Sequence, residues 1–328
     1  MFKKNFKPFI IAEIGSNHNG NMRLCEKLIS KAKLAGADAV KFQYFSLNSL
    51  FSETYFKNNN LSKKDIKKFS LSFRDIKFIC ECAKKNKIKI GFTPLGFEEL
   101  NTLKKFKLDF YKIASMDCNN YELIERVART KKPLIISTGL SNLTEIRTAL
   151  KCSLKFNKKV SLLHCVSIYP PKDEEVNLSR IKTLNTKFNI PIGFSDHCLG
   201  IDHALASIPY GSSIIEKHFT LNKKLNGWDH SMSIDFDELK ELVIKSKKIF
   251  KSIGSNKIFR VETKKQINIF RRSIVAEKNI QKGQIITTSD ISLKRPRGGL
   301  QPKFFKKIIG KKSKKFIKKD SLIKMSNF

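Results

Sequence analysis

The sequence predicts an α/β fold: a (β/α)₈ barrel over residues 1–251, followed by a small β-rich domain over residues 271–328. Three observations carry this. Short apolar runs alternate with longer amphipathic stretches eight times before residue 251. No glycine-rich dinucleotide fingerprint follows the first run, which disfavours the alternative, a doubly wound open sheet. Beyond Phe250 the period changes to short β-like pieces with glycine turns.

The predicted barrel strands are Phe9–Ile14, Ala39–Gln43, Ile88–Thr93, Phe110–Ala114, Leu134–Ser137, Val160–Cys165, Ile192–Ser195 and Ser213–His218. Helical spacing predicts Met22–Ala35, Lys63–Lys85, Phe97–Phe106, Tyr121–Thr130, Leu143–Leu150, Val176–Phe188, Ile201–Ile208 and Phe236–Phe250. Gly36, Pro133, Pro191 and Gly211 stand just before strands, where a helix has to stop. Residues 252–270 are polar and mixed and read as a linker with some helix. The pieces Ser273–Ala276, Gln284–Ile286, Ile291–Leu293 and Leu322–Lys324 form the second domain, which is too small to be stable without packing against something larger.

Composition narrows the classes. The chain has 328 residues, 41% of them hydrophobic, enough for one large core and a small one. Its formal net charge of +36 raises nucleic acid or an anionic surface as partners. However, Lys, Asn, Ile and Phe are abundant together while Arg is scarce, and the charge is spread in pairs such as Lys63-Lys64 and Lys223-Lys224. Only Lys303 to Lys319 is a dense basic run. Solvated faces are the reading, with neither nucleic acid nor membrane as partner. Seven cysteines without a Cys-x-x-Cys pair fit reduced thiols. The first apolar run, Phe9 to Ile11, is too short for a signal peptide, and no stretch of roughly 18 apolar residues occurs. The expectation is a cytoplasmic protein.

In such a barrel the active site lies at the C-terminal ends of the strands. Those ends carry Glu13 with Asn17-His18, then Lys41 and Gln43, Thr93, Lys112 and Ser115, Ser137-Thr138, His164, Ser195-Asp196-His197, and Glu216 with His218. Polar or ionisable groups thus close all eight runs. His197 and His218 end neighbouring strands and could share one divalent cation, leaving positions open for water and substrate. Lys41 and Lys112, ringed by Thr93, Ser115, Ser137 and Ser195, suit a phosphate and a carboxylate.

These residues resemble a known family. Ile11-Ala12-Glu13-Ile14-Gly15-Ser16-Asn17-His18-Asn19-Gly20 is similar to the opening signature of the N-acetylneuraminate (sialic acid) synthases. Lys41-Phe42-Gln43, Lys112-Ile113-Ala114-Ser115, Ser137-Thr138-Gly139, His164-Cys165 and Tyr169-Pro170 follow in family order. So do Ser195-Asp196-His197, Glu216-Lys217-His218-Phe219-Thr220 and Gly227-Trp228-Asp229-His230. The stretch from Arg272-Ser273 to Lys294-Arg295-Pro296 resembles the antifreeze-like (SAF) domain these TIM-barrel enzymes carry.

The resemblance implies a transferase that condenses phosphoenolpyruvate with an N-acylated hexosamine aldehyde, N-acetylmannosamine-like, and water. The products are a nonulosonic acid and phosphate. It implies that His197 and His218 hold Mn²⁺ or Mg²⁺. Lys41, Thr93, Lys112, Ser115, Ser137, Ser167 and Ser195 match the phosphoenolpyruvate site; Gln43, Tyr169 and Asp229 match contacts to the acceptor sugar. Glu13 lies at the reacting centre, and Asp117 stands where relatives carry a Glu engaged in proton handling. Arg295 matches a residue that reaches the sugar of a neighbouring subunit, which implies a domain-swapped homodimer. Trp228 replaces a more familiar Pro, and Arg297 a Gly. Legionaminate and pseudaminate synthases share the chemistry and remain alternatives, although His164 stands where a Lys is expected in the pseudaminate branch. A non-catalytic carbohydrate-binding protein is the reading from another class.

Overall fold

The computed structural model describes residues 1–4, 7–52, 54–55, 63–255 and 257–328, the side chains of residues 48 and 65 apart. Two compact units divide it, Met1–Gly254 and Ser255–Phe328. In the first, eight parallel strands close into a barrel in chain order. They are β1 (Phe9–Glu13), β2 (Ala39–Tyr44), β3 (Lys89–Pro94), β4 (Phe110–Ile113), β5 (Leu134–Ser137), β6 (Val160–Cys165), β7 (Ile192–Asp196) and β8 (Ile214–His218). All eight predicted strands are present, with ends shifted by a residue at most.

Period two explains how this barrel makes a site. Ile11, Ala39, Phe110, Ile135, Leu163 and Ile214 form one apolar cluster, separate from the core shared with the helices. Two residues further along the same strands stand Glu13, Lys41, Lys112, Ser137, Cys165 and Glu216. The same alternation that fills the barrel's floor therefore aims a polar layer at its C-terminal mouth. The intervening residues, such as Ala12, Val40, Ile136 and Ile215, pack against the helices in the larger core. Burying each such aliphatic side chain contributes about 1.5–3 kcal/mol.

The helices are held by local chemistry. Asn21 caps Met22–Ala35 by accepting from the amides of Arg23 and Leu24, and Gly36 ends it in the left-handed conformation. Asn142 and Asp235 build capping boxes with Glu145 and Glu238. One predicted helix is broken in two: Lys63–Lys85 is Lys63–Phe69 and Phe73–Lys85, because Ser72 and Asp75 form a capping box that starts a new helix. The helix predicted over Val176–Phe188 is Ser179–Lys187; Val176 ends a separate short helix, Asp173–Val176, that stops at Asn177, whose φ is +44°. Apolar spacing runs through both stops, which hid them.

In the second unit, β9 (Ser273–Ala276) pairs antiparallel with β10 (Ile291–Lys294). Ile274, Ile280, Ile286, Ile308, Ile317 and Ile323 are among its buried core. The predicted pieces Gln284–Ile286 and Leu322–Lys324 contribute isolated bridges, Ile285 to Lys312 and Leu322 to Val275, instead of strands. The predicted linker is partly regular: the helix before it runs to Ile253, and Lys264–Phe270 is a helix capped by Thr263. The positive charge is less evenly spread than the pairing of lysines suggested. Residues 255–328 carry 21 Lys and Arg against 4 Asp and Glu. Three of those carboxylates are already paired with Lys278 or Lys294. Among the described residues no helix is long and apolar enough to cross a membrane.

Candidate active site

A cavity of about 460 Å³ opens at the C-terminal ends of the strands. That volume is within the usual range for small-molecule sites. It is lined by Glu13, Lys41, Gln43, Thr93, Lys112, Ser115, Ser137, Ser167, Tyr169, Ser195, His197, His218 and Asp229, all of them predicted. Glu216, Trp228, Ala114, Met116 and Leu140 line it as well.

Strand register builds its floor. Glu13 lies opposite Lys41 on β1 and β2, and Ser195 opposite Glu216 on β7 and β8. The Lys41 ammonium sits 2.7 Å from Glu13 Oε2 and 3.8 Å from Glu216 Oε2, and donates to Thr93 Oγ1 at 3.1 Å. Lys112 Nζ donates to Glu216 Oε1 at 2.6 Å, and Ser195 Oγ donates to the same oxygen at 2.9 Å. Gln43 Nε2 donates to Glu13 Oε1 at 3.2 Å. All four charged groups are buried.

The two carboxyls are pushed apart. Burial opposes ionisation of Glu216, but Lys112, Lys41 and the hydrogen bonds from Lys112 and Ser195 outweigh it and hold the group down at about 2. Burial dominates at Glu13 and raises it in spite of Lys41, with the Glu216 charge adding to the rise. Burial and the two ammonium groups thus move the two carboxyls in opposite directions, Glu216 down and Glu13 up. Burial is also the largest influence on Lys112 and lowers it, whereas Glu13 and Glu216 overcome burial at Lys41 and raise it.

Beside the lysines lies a hydroxyl cradle. Ser115 Oγ is 2.8 Å from Cys165 Sγ. A Cβ on Gly139 would fall within 2.6 Å of Ser167 Oγ, 2.7 Å of Cys165 Sγ and 2.9 Å of Ser115 Oγ, so only glycine lets these groups converge. Ser137 and Ser167 have buried hydroxyls with no partner among the described residues. Buried polar atoms are rarely left unpaired, so these are the donors that an anion held by the lysines would meet.

Two imidazoles line the same cavity. The rings of His197 and His218 are 5.8 Å apart, and Tyr169 packs 4.2 Å from His197. His197 Nδ1 is 2.7 Å from the Val166 carbonyl. A carbonyl only accepts, so Nδ1 carries the proton and Nε2 presents a lone pair, the arrangement metal-binding histidines use. Burial, helped by His218, pushes His197 down to about 4 and keeps it neutral. His218 Nδ1 is buried with no hydrogen bond among the described residues, 3.8 Å from Asp229 Oδ2. Among the described residues no three His, Cys, Asp or Glu side chains converge as a metal cluster. The donor set fits a cation with two protein nitrogens whose other positions are completed by substrate and water.

Other residues lie elsewhere. Asp117 does not line the cavity; it ends a 3₁₀ turn and accepts from Asn120 Nδ2 at 3.1 Å. Arg295 is in the second unit, exposed, 5.3 Å from the Phe270 ring. His164, counted among the strand ends, faces away: its Nε2 donates to the Val176 carbonyl at 2.7 Å and its ring stacks on Phe194. Asp196 is spent on Lys217, 2.9 Å away, in a fully buried pair. Asn17 ties the first loop to Phe219 and Ser233.

His18 is structural too. It is fully buried, and its Nδ1 accepts from the Gly20 amide at 3.0 Å. Burial pushes it down to about 4 from an ordinary value of 6.5. The unfolded chain therefore binds this proton first. Stability is complete above pH 6.5, falls as the pH drops, and by pH 5 has lost roughly 2 kcal/mol through this group. A His18→Asn protein, which can still offer an oxygen to Gly20, should lose less stability between pH 7 and pH 5 in denaturant titrations. Equal losses in both proteins would contradict this.

The sequence model described as the NeuB family matches residues 28–258, and a SAF domain model matches residues 271–328. The chain belongs to the NeuB family. Over 331 residues it is 37% identical to an N,N'-diacetyllegionaminic acid synthase of Campylobacter jejuni, covering 97% of this chain and 99% of the relative. It is 34% identical over 339 residues to a pseudaminic acid synthase of the same species, covering 100% and 98%. The solved structure of an N-acetylneuraminic acid synthetase from Leptospira borgpetersenii superposes with a TM-score of 0.75 at 35% identity, over 80% of this chain and 90% of that one. In this NeuB-family chain, Glu216 is the group that sequence reading left without a role. Its signal was present: it stands two residues before His218 on one strand, and so points the same way.

Proposed function

We propose that this NeuB-family enzyme condenses phosphoenolpyruvate with the open-chain aldehyde of an N-acylated hexosamine, and with water, to a nonulosonic acid and phosphate. The observation that carries the reading is what one cavity brings together. Two buried lysines and unpartnered serine hydroxyls line it along with two imidazoles, Tyr169 and Asp229. The first set suits an enol phosphate with a carboxylate, the second a polar aldehyde.

Lys41 and Lys112 hold the donor's phosphate and carboxylate against the serine cradle, exchanging part of their contact with Glu13 and Glu216 for the ligand. This aims the enol carbon at the aldehyde, which is positioning and electrostatic work. His197 and His218 would hold Mn²⁺ or Mg²⁺. A cation bound there would supply Lewis-acid polarisation of the aldehyde. Carbon–carbon bond formation leaves positive charge at C2 of the former enol, and the ionised Glu216 lies at that floor. Glu13 takes one proton from the water whose oxygen bonds to C2 and returns it to the alkoxide formed from the aldehyde. The remaining C2 hydroxyl gives its proton to the departing phosphate as the bond from C2 to the bridging oxygen breaks and the C2 carbonyl forms. Our reading of the assembly is a two-fold dimer in which Arg295, exposed on the second unit, serves the partner's site.

The bond that breaks gives the test. Phosphoenolpyruvate labelled with ¹⁸O at the bridging position should deliver the label to phosphate, with a sugar acid as co-product. Label retained in the organic product would refute the addition of water at C2.

A further inference from the structure

His197 and His218 each follow directly on one member of a buried ion pair. Asp196 and Lys217 lie opposite one another at the last paired position of β7 and β8. Both side chains are 0% exposed, and Asp196 Oδ2 is 2.9 Å from Lys217 Nζ. Period two puts Ser195 and Glu216, then His197 and His218, in the lining of the cavity. Asp196 and Lys217, which alternate with them, are not in that lining. They are tied to the chain beyond His197 instead. Asp196 Oδ1 accepts from the Cys198 amide at 2.9 Å, and Lys217 Nζ donates to the Cys198 carbonyl. The pair therefore holds both polar backbone groups of the residue after one histidine, and does so partly from the residue before the other.

A buried ion pair is a poor means of stabilising a core. Its desolvation offsets most of its attraction, and apolar side chains of similar volume often do as well. What a fully hydrogen-bonded pair adds is direction, because it fits one register and one path of the chain. His218 has most need of that. Its Nδ1 makes no hydrogen bond among the described residues, whereas the His197 ring is fixed to the Val166 carbonyl at 2.7 Å. The 5.8 Å between the two rings thus depends on how the ends of β7 and β8 are held to each other.

We propose that Asp196 and Lys217 are positioning residues for the divalent cation: they set the separation of His197 and His218 without touching cation or substrate. This rests on the metal assignment made above and deepens it. The test measures manganese binding to the full-length protein by calorimetry, with thermal melting in the absence of metal and phosphoenolpyruvate binding as controls. Lys217→Met strands the Asp196 carboxylate and should lower the melting temperature. Asp196→Leu/Lys217→Met strands no charge and should melt closer to the parent. Both should bind manganese about tenfold or more weakly, the scale on which groups behind metal ligands act. Asp196→Asn, which keeps an oxygen for the Cys198 amide, should lose less affinity than the double variant. Phosphoenolpyruvate affinity should be unchanged in the double variant, since Lys41, Lys112 and Ser137 stand on other strands. A folded double variant that binds manganese as tightly as the parent would overturn the positioning role and leave the metal assignment standing. So would a double variant that does not fold, which would make the pair a requirement of the barrel itself, or one whose donor affinity falls along with its manganese affinity. A parent that binds no manganese would overturn both.

Discussion

Replacing Lys112 by Met is expected to damage both the fold and the donor site, and the two losses can be separated. Lys112 and Glu216 form a buried pair at 2.6 Å. Removing one member of such a pair strands the other charge, at a cost of about 3–5 kcal/mol. The loss here should lie near the lower end, because Lys41 at 3.8 Å and the Ser195 hydroxyl still face Glu216. In the double variant Lys112→Met/Glu216→Gln no charge is stranded, and urea titrations should show most of the stability restored. Phosphoenolpyruvate binding should stay weak in both variants, since a charge-assisted contact is worth about 1.5–3 kcal/mol, or one to two powers of ten in affinity. Calorimetric titration reads this without turnover. A single variant as stable as the parent would contradict the pairing. A change in acceptor KM, with donor affinity intact, would reverse the roles of the two sets of lining groups.

His218→Ala is expected to do the opposite, removing activity and sparing the fold. Its Nδ1 makes no hydrogen bond among the described residues, so its removal orphans no partner there. Loss of Lewis-acid stabilisation worth several kcal/mol should lower kcat by about a hundredfold or more. Calorimetry should show manganese binding to the parent and none to the variant, while the melting temperature stays near that of the parent. A parent that binds no divalent cation, or that keeps full activity in excess chelator, would contradict the assignment of His197 and His218. The same variant tests the assembly. Mixed with Arg295→Ala chains and allowed to exchange, it should regain activity if Arg295 serves the partner's site, because one site per mixed dimer then has both residues. No recovery, with exchange verified by mass, would refute that arrangement.

Much of the site was legible because the barrel turns a period of two into a direction. Lys41 and Gln43, or Glu216 and His218, are two apart on one strand and so face one cavity. What escaped needed register or a reading of both faces. β6 is buried on both sides, so the sequence around His164 shows no polar alternation to say that this histidine faces the helices. The ties of Glu216 to Lys41 and Lys112 join β8 with β2 and β4, and no local pattern encodes them. Asp117 lies in a 3₁₀ turn whose orientation strand spacing cannot foresee. Trp228 was visible as an unusual residue, but its support on Phe69 comes from a segment that sequence reading had merged into one long helix.

The central claim is that one cavity joins an enol phosphate to a sugar aldehyde. Its most direct measurement is phosphate release from phosphoenolpyruvate by the purified full-length protein with manganese, with and without an N-acylated hexosamine. The expected result is release that requires the sugar and stops when it is exhausted, one phosphate for each sugar consumed. Release at the same rate without any sugar, or none with any acylated hexosamine supplied, would contradict it.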